Sequence, residues 1–206
     1  MLILGGTAEA AALARALDGR PGLQTVSSLA GRTSGGRDLP GSLRVGGFGG
    51  VDGLAAYLAT AGIDLLVDAT HPYATQITRN AADAATAAGV PRLRLLRPAW
   101  AERAGDRWQR VPDAAAAAQA LRDHGAKVFL ATGRTDLAAF ATLTDRQFLV
   151  RLVEPPEGPL ELAHYTVVTG RGPFSEAADR ALLLAHAIDA VVSKNSGGDG
   201  AYAKLA

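Results

Sequence analysis

An α/β fold of two parallel-sheet units in tandem is predicted by three observations. Short apolar runs alternate with Ala-rich helical stretches along most of the 206 residues, the pattern of parallel strands joined by crossover helices. The rhythm breaks once, over 97–110, where four arginines and both tryptophans replace strand formers. Finally, Phe129-Leu130-Ala131-Thr132-Gly133-Arg134-Thr135 loosely echoes Ile3-Leu4-Gly5-Gly6-Thr7, so the second series repeats the manner of the first. The units are therefore placed at 1–97 and 98–206, with an interdomain cleft.

Each element has a local reason. In the first unit, apolar runs at 1–4, 23–28, 43–46, 63–68 and 92–96 are strand candidates, with helices near 8–17, 51–61 and 73–88. Gly62 and Gly89 stand where helices need a left-handed residue to end. Pro72 suits the first position of the third helix, with Asp68, Thr70 or His71 ahead of it as turn or capping residues. The second unit reads as helix 113–123, strand 127–131, helix 135–142, strands 147–153 and 165–169, helix 174–186 and strand 188–193. Residues 201–206 look like the first turns of a further helix.

Composition removes several classes. Hydrophobic residues make up 48% and the net charge is +1, which suits a folded domain and gives no bulk attraction to nucleic acid or membranes. Without cysteine there are no disulfides, thiolate metal sites or cysteine nucleophiles. No apolar run approaches the roughly 18 residues of a spanning helix. Met1 leads straight into a core-like strand, so a cytoplasmic protein without a signal peptide is expected.

The chemistry is expected just beyond the carboxyl ends of the strands, where open α/β sheets bind ligands. The turn Gly5-Gly6-Thr7-Ala8-Glu9-Ala10 joins the first strand to the first helix. It keeps Gly5 and the small Ala10 of the dinucleotide fingerprint but has Thr7 at the second glycine. Such a turn aims backbone N–H groups and a helix dipole at a phosphate. After the second strand comes Ala30-Gly31-Arg32-Thr33. A carboxylate there would take ribose hydroxyls, whereas Arg32 pairs with a 2′-phosphate and selects NADP(H); a surface arginine in a glycine loop is the alternative. Gly46-Gly47-Phe48-Gly49-Gly50 gives backbone that a flat ligand can approach, with a ring to pack on it. Thr70, His71 and Tyr73 end the fourth strand, and the last two can carry protons where a nicotinamide would lie. In the second unit Arg134, Arg151, Arg171, Lys194, Ser196 and Gly197 fall near strand ends and offer cations, hydroxyls and amides to a polyanion. The sequence has no nucleophile elbow, zinc-helix motif or P-loop, and no Tyr-x-x-x-Lys pair follows the nucleotide half.

Together these loops resemble the precorrin-6A and cobalt-precorrin-6A reductases of cobalamin biosynthesis. The matching pieces are Leu4 to Ala10, Ser27 to Arg32, Gly46 to Gly50, Asp68-Ala69-Thr70-His71-Pro72-Tyr73-Ala74, Arg97-Pro98-Ala99-Trp100, Arg171 to Phe174 and Ser193-Lys194-Asn195-Ser196-Gly197-Gly198. The Asp-Ala-Thr-His-Pro-Tyr and Lys-Asn-Ser-Gly-Gly pieces are the specific ones. The resemblance implies two Rossmann-like units, NADP(H) in unit 1–97, the substrate side in 98–206, and reduction of one double bond of a tetrapyrrole by NADPH. It assigns Gly5, Gly6, Thr7, Ala30, Gly31, Arg32, Thr33, Gly47, Phe48 and Thr70 to the cofactor. His71, Tyr73 and Lys194 are candidate proton carriers, and Arg134, Arg171, Lys194, Ser196 and Gly197 candidate substrate contacts. The family continues beyond the Ala-Lys-Leu of 203–205, so the second unit is expected to be C-terminally incomplete. A monomer with transient contacts to neighbouring pathway enzymes is the expectation for partners. Two other readings stay open: an NADP-dependent C=C or C=N reductase of a smaller substrate, and a non-catalytic nucleotide-sensing module.

Overall fold

The protein was analysed as a computed structural model, which describes residues 1–31 and 38–206. Two compact units, Met1–Arg97 and Pro98–Ala206, divide the chain. Both sheets are parallel and carry helices, so the fold class is the α/β class read from the sequence. No helix among the described residues is long and apolar enough to cross a membrane.

Unit 1 runs β1 (Leu2–Leu4), α1 (Ala8–Leu17), β2 (Val26–Leu29), β3 (Ser42–Val45), α2 (Val51–Thr60), β4 (Leu66–Asp68), α3 (Thr75–Ala88) and β5 (Arg92–Arg94). Its strand order is β3-β2-β1-β4-β5. Alternate side chains of β1 point to opposite faces. Leu2 and Leu4 pack with Leu54, Leu58, Ala81 and Ala85 of α2 and α3, whereas Ile3 packs with Ala10 and Ala14 of α1. The sheet is thus covered on both sides, as parallel sheets are.

Several strands are shorter than their apolar runs. Ile63 and Leu65 are apolar yet precede β4, because the Ile63 N–H bonds back to the Leu58 carbonyl and closes α2. Gly62 follows at φ 59°, and Gly89 ends α3 at φ 65°, the left-handed stops the sequence asks for. Pro72 does not open α3. The His71 carbonyl accepts from the Ala74 N–H in a separate turn, and the helix begins at Thr75.

At the other end of the sheet Glu9, in the first turn of α1, accepts both contacts of the Arg97 Nη1 at 3.0 and 3.1 Å. Burial works to raise the Glu9 carboxyl. Its own backbone N–H, the Arg97 guanidinium and the Thr7 hydroxyl outweigh that, and its pKa lies below the usual value of 4.5.

Unit 2 contains α4 (Ala114–Ala120), β6 (Lys127–Ala131), β7 (Gln147–Leu152), β8 (Tyr165–Thr169), α5 (Glu176–Ala185) and β9 (Ala190–Ser193), in sheet order β8-β7-β6-β9. The helix expected at 135–142 is instead a 3-10 segment, Arg134–Phe140. Its two buried anchors, Leu137 and Phe140, are three residues apart, a spacing that eclipses on a three-residue turn. Residues 199–201 and 203–205 likewise form 3-10 turns.

One face of the sheet packs Val128, Leu130, Phe148 and Val150 against Ala117, Leu121, Leu137 and Phe140. On α5 the only buried residue is a charge. Asp179, 2% exposed, accepts from Arg151 of β7 at 2.5 and 3.1 Å. The guanidinium lies 4.0 Å from the Phe174 ring centroid and 4.8 Å from that of Phe129. Nearby Lys204 is buried with its Nζ on the Ala201 carbonyl and the Trp100 ring, and burial lowers its pKa to about 8.

Two outcomes follow. Asp179→Ala leaves a buried guanidinium without its counter-charge, so it should lose about 3–5 kcal/mol, read as a lower urea midpoint. Because the Glu9 pKa is depressed, its stabilisation is complete above the unfolded value and disappears as pH falls through the folded one. With the side chain 34% exposed, solvent screening limits that contribution to about 0.5–1 kcal/mol. The gap in melting temperature between wild type and Glu9→Gln should therefore be open at pH 7 and close in the acid range below the ordinary Glu pKa.

Candidate active site

All strands in each sheet are parallel, so their carboxyl ends gather the predicted loops along one edge. In unit 1 that edge brings together Gly5-Gly6-Thr7, Ala30-Gly31, Gly46 to Phe48, and Thr70 to Tyr73. Arg32 and Thr33 lie outside the described residues. The strand order reverses between β1 and β4, which is where such sheets open a crevice.

The β1–α1 turn is built for an anion. Gly5 donates to the Ser28 carbonyl at 2.9 Å, and a Cβ there would sit 3.3 Å from Leu29 Cδ2. Gly6 has φ 105°, which a side chain would strain. Thr7 is the N-cap of α1: its Oγ1 accepts from the Ala10 N–H at 3.1 Å and donates to the Ala69 carbonyl at 2.8 Å. Its hydroxyl is therefore committed to the fold, worth about 1 kcal/mol as a cap. What remains for a ligand is backbone. Among the described residues the N–H groups of Gly6, Thr7 and Ala8 meet no acceptor, and helix starts leave such donors at the positive end of a dipole. A phosphate fits here. The adjacent Glu9 carboxylate is held by Arg97.

On the β2–β3 side Ala30 and Gly31 are exposed. A Cβ on Gly31 would lie 3.3 Å from Val45 Cγ1, so the two strand ends are in close contact. Arg44 of β3, which the sequence reading did not single out, donates to the Gly46 carbonyl at 2.6 Å and the Gly47 carbonyl at 2.7 Å. Its guanidinium stacks 3.7 Å from the Phe48 ring centroid, and Phe48 meets Tyr57 edge-on at 5.3 Å. Phe48 is thus covered on one face rather than open to a ligand on both. Gly53 of α2 was also missed. A Cβ there would run into the Phe48 carbonyl, so only glycine lets this loop rest on the helix.

Asp68, the last residue of β4, is 1% exposed. Its Oδ1 accepts from the Thr70 N–H at 3.2 Å and from Thr70 Oγ1 at 2.7 Å. His71 Nδ1 accepts from the Tyr73 N–H at 3.2 Å, so Nε2 carries the proton of the neutral ring. The His71 and Tyr73 rings are 6.0 Å apart, and Tyr73 is 47% exposed.

In unit 2 the loops after β6, β7, β8 and β9 also share an edge, but their cations are sorted by burial. Arg151 is spent on Asp179 and is not part of an anion-binding wall. Lys194 pairs with Asp136 at 2.7 Å across the point where the order turns between β6 and β9. Arg171 is half-exposed, 3.8 Å from Glu154. Exposed Arg134 lines a concavity of about 370 Å³ together with Leu137, Pro156, Pro159, Glu157 and Glu161; those two carboxylates make the concavity itself a poor seat for a polyanion. Ser196 and Gly197 are buried, and the Ser196 N–H bonds the Lys194 carbonyl at 2.8 Å.

The two sequence pieces 97–100 and 193–198 are physically one feature. Asn195 accepts from the Trp100 N–H at 2.7 Å and returns a bond to the Trp100 carbonyl at 2.8 Å. The indole Nε1 donates to Gly198 at 2.7 Å. No sequence signal joins residues 95 apart, although Trp beside Pro in a polar stretch marks an anchor.

Comparison with known proteins gives the family. The family model described as "Precorrin-6x reductase CbiJ/CobK" matches residues 1–206. The chain is 50% identical over 205 residues to the precorrin-6A reductase of Rhodococcus erythropolis, covering 100% of this chain and 82% of that one. It is 30% identical over 211 residues to the cobalt-precorrin-6A reductase of Salmonella typhimurium, covering 98% and 80%. A solved structure titled "CobK precorrin-6A reductase" superposes with a TM-score of 0.93 at 47% identity, covering 99% of this chain and 81% of that one. With its parallel sheets, its phosphate-ready turn and this full-length match, the chain belongs to the precorrin-6x reductase family, oxidoreductases whose reaction implies a nicotinamide cofactor.

Proposed function

We propose that the protein uses NADPH to reduce one ring double bond of precorrin-6A, or its cobalt form, to the 6B level in cobalamin biosynthesis. The observation that carries this reading is the β1–α1 turn, whose Gly6, Thr7 and Ala8 N–H groups meet no acceptor among the described residues and stand beside the switch between β1 and β4. The cofactor would lie along the carboxyl edge of the unit 1 sheet. Gly6 and Thr7 cradle its pyrophosphate through backbone N–H groups, while Gly5, its own N–H on the Ser28 carbonyl, holds the turn against β2. Ala30, Gly31, Arg32 and Thr33 serve the adenosine end, with Arg32 on the 2′-phosphate. Gly47 and Phe48 flank that path, and Thr70 serves the nicotinamide end.

When bound, the nicotinamide supplies the hydride. The chain's own residues position the reactants and deliver the proton. His71 and the exposed Tyr73 hydroxyl are the two candidate proton donors of this loop. Arg134 and Arg171 meet carboxylates of the tetrapyrrole in unit 2, with Ser196 and Gly197 shaping the loop beside them. Lys194, held by Asp136, adds a cation and a third candidate proton source. The relatives are named for both metal-free and cobalt-bearing substrates. Higher identity to the former, 50% against 30%, favours precorrin-6A here.

An anaerobic assay following NADPH consumption with enzymatically supplied precorrin-6A tests the reading; no consumption would refute it. Arg32→Ala should raise the KM for NADPH about 10–100-fold, the loss of a charge-assisted hydrogen bond to phosphate, and leave NADH use nearly unchanged. Equal damage with both cofactors would remove the 2′-phosphate assignment. In single-turnover reduction, His71→Ala or Tyr73→Phe should slow the chemical step about 10²-fold or more if that residue delivers the proton. Undiminished rates in both variants would transfer the role to Lys194 or to solvent.

A further inference from the structure

Asp68 spends a buried charge where the turn itself does not need one. It is 1% exposed at the end of β4, and its Oδ2 has no hydrogen-bond partner among the described residues. Arg92 Nη1 and Arg94 Nε of β5 stand 3.9 Å from that oxygen, too far for hydrogen bonds but within ion-pair distance. A buried carboxylate is costly to keep, and a neutral Asn or Ser could also accept a bond from the following backbone. What a carboxylate adds is that it can only accept.

That property decides what Thr70 can do. The Thr70 hydroxyl gives its single proton to Asp68 Oδ1 at 2.7 Å. In its contact with Thr78 Oγ1 at 3.4 Å, Thr78 must then be the donor. Whatever ligand atom meets Thr70 Oγ1 must also donate. Thr70 follows Ala69, whose carbonyl is bonded to Thr7 of the phosphate turn, and it stands on the β4 side of the switch, opposite the β2 side expected to take adenosine.

We propose that Asp68 is a positioning residue for the reductase: it fixes the Thr70 hydroxyl as an acceptor for the N–H2 of the nicotinamide carboxamide, and so sets the angle of the ring. The proposal rests on the cofactor reading above. An Asn at this position could keep its amide oxygen on the Thr70 N–H and hydroxyl, so the informative change is Asp68→Ala, which removes the acceptor and frees the Thr70 hydroxyl proton to point at a ligand.

The test measures affinity of the full chain for three probes: NADPH, its 3-acetylpyridine analogue, in which a methyl ketone replaces the carboxamide, and 2′-phospho-ADP-ribose, which lacks the ring. Wild type should prefer NADPH to the analogue about tenfold, the effect of one hydrogen bond. Asp68→Ala and Thr70→Val should each reduce that preference to within about twofold, a residue of discrimination below one hydrogen bond. Both should leave 2′-phospho-ADP-ribose affinity unchanged, and Thr70→Ser should retain the wild-type preference. If Asp68→Ala keeps the preference, or weakens all three probes alike, the positioning role is wrong while the cofactor reading stands. If wild type binds neither NADPH nor 2′-phospho-ADP-ribose, the cofactor reading fails and takes this inference with it.

Discussion

One threonine hydroxyl holds the carboxyl edge of the unit 1 sheet together. Thr7 Oγ1 caps α1 by accepting from Ala10 and, with its own proton, reaches the Ala69 carbonyl just past β4. The turn offered to phosphate and the loop carrying Thr70, His71 and Tyr73 are therefore fixed relative to each other without any ligand. A glycine at this position would keep the turn and lose that tie. This explains in physical terms why the dinucleotide fingerprint is altered at its second glycine. Catalytic geometry depends on such prior fixing, because rate falls steeply when reacting groups are displaced by even an ångström.

The alternation of elements was legible because it is written in local pattern. Apolar runs, Ala-rich stretches and the stops at Gly62 and Gly89 each act within a few residues, and the α/β class followed from them. Errors arose where tertiary contacts overrode the pattern. Ile63 closes α2 instead of opening β4, and the paired anchors Leu137 and Phe140 wind 134–140 as a 3-10 segment. The strand-end loops of the candidate site could be located for the same reason that strands could. Its electrostatic supports could not. Glu9 and Arg97 are 88 residues apart, Arg151 and Asp179 are 28 apart, and nothing in either neighbourhood marks the partner. Gly53 is a single glycine in an Ala-rich helix, and its meaning appears only when the Phe48 carbonyl is seen against it.

Unit 2 separates structural from available charge. Arg151 is sandwiched by two aromatic rings and neutralised by Asp179, and Lys204 is buried on Trp100. Both would be counted as basic surface from the sequence, yet neither is. Arg134 and Arg171 keep much of their exposure, and Lys194 is tethered to a carboxylate that aims it. A near-zero net charge therefore conceals a division of labour: some cations build the sheet's packing and others stand at its edge.

The Arg44 stack gives the carboxyl edge of the unit 1 sheet a polarity. Its guanidinium lies flat on Phe48 and is clamped by the Gly46 and Gly47 carbonyls. That end of the sheet thus offers a positively charged plate where an aromatic one stands in the sequence. A pyridinium ring, which is what a nicotinamide becomes once it has given up its hydride, would be repelled from such a plate, whereas adenine would stack on it. A dinucleotide laid on this edge the wrong way round would be penalised most in its oxidised state.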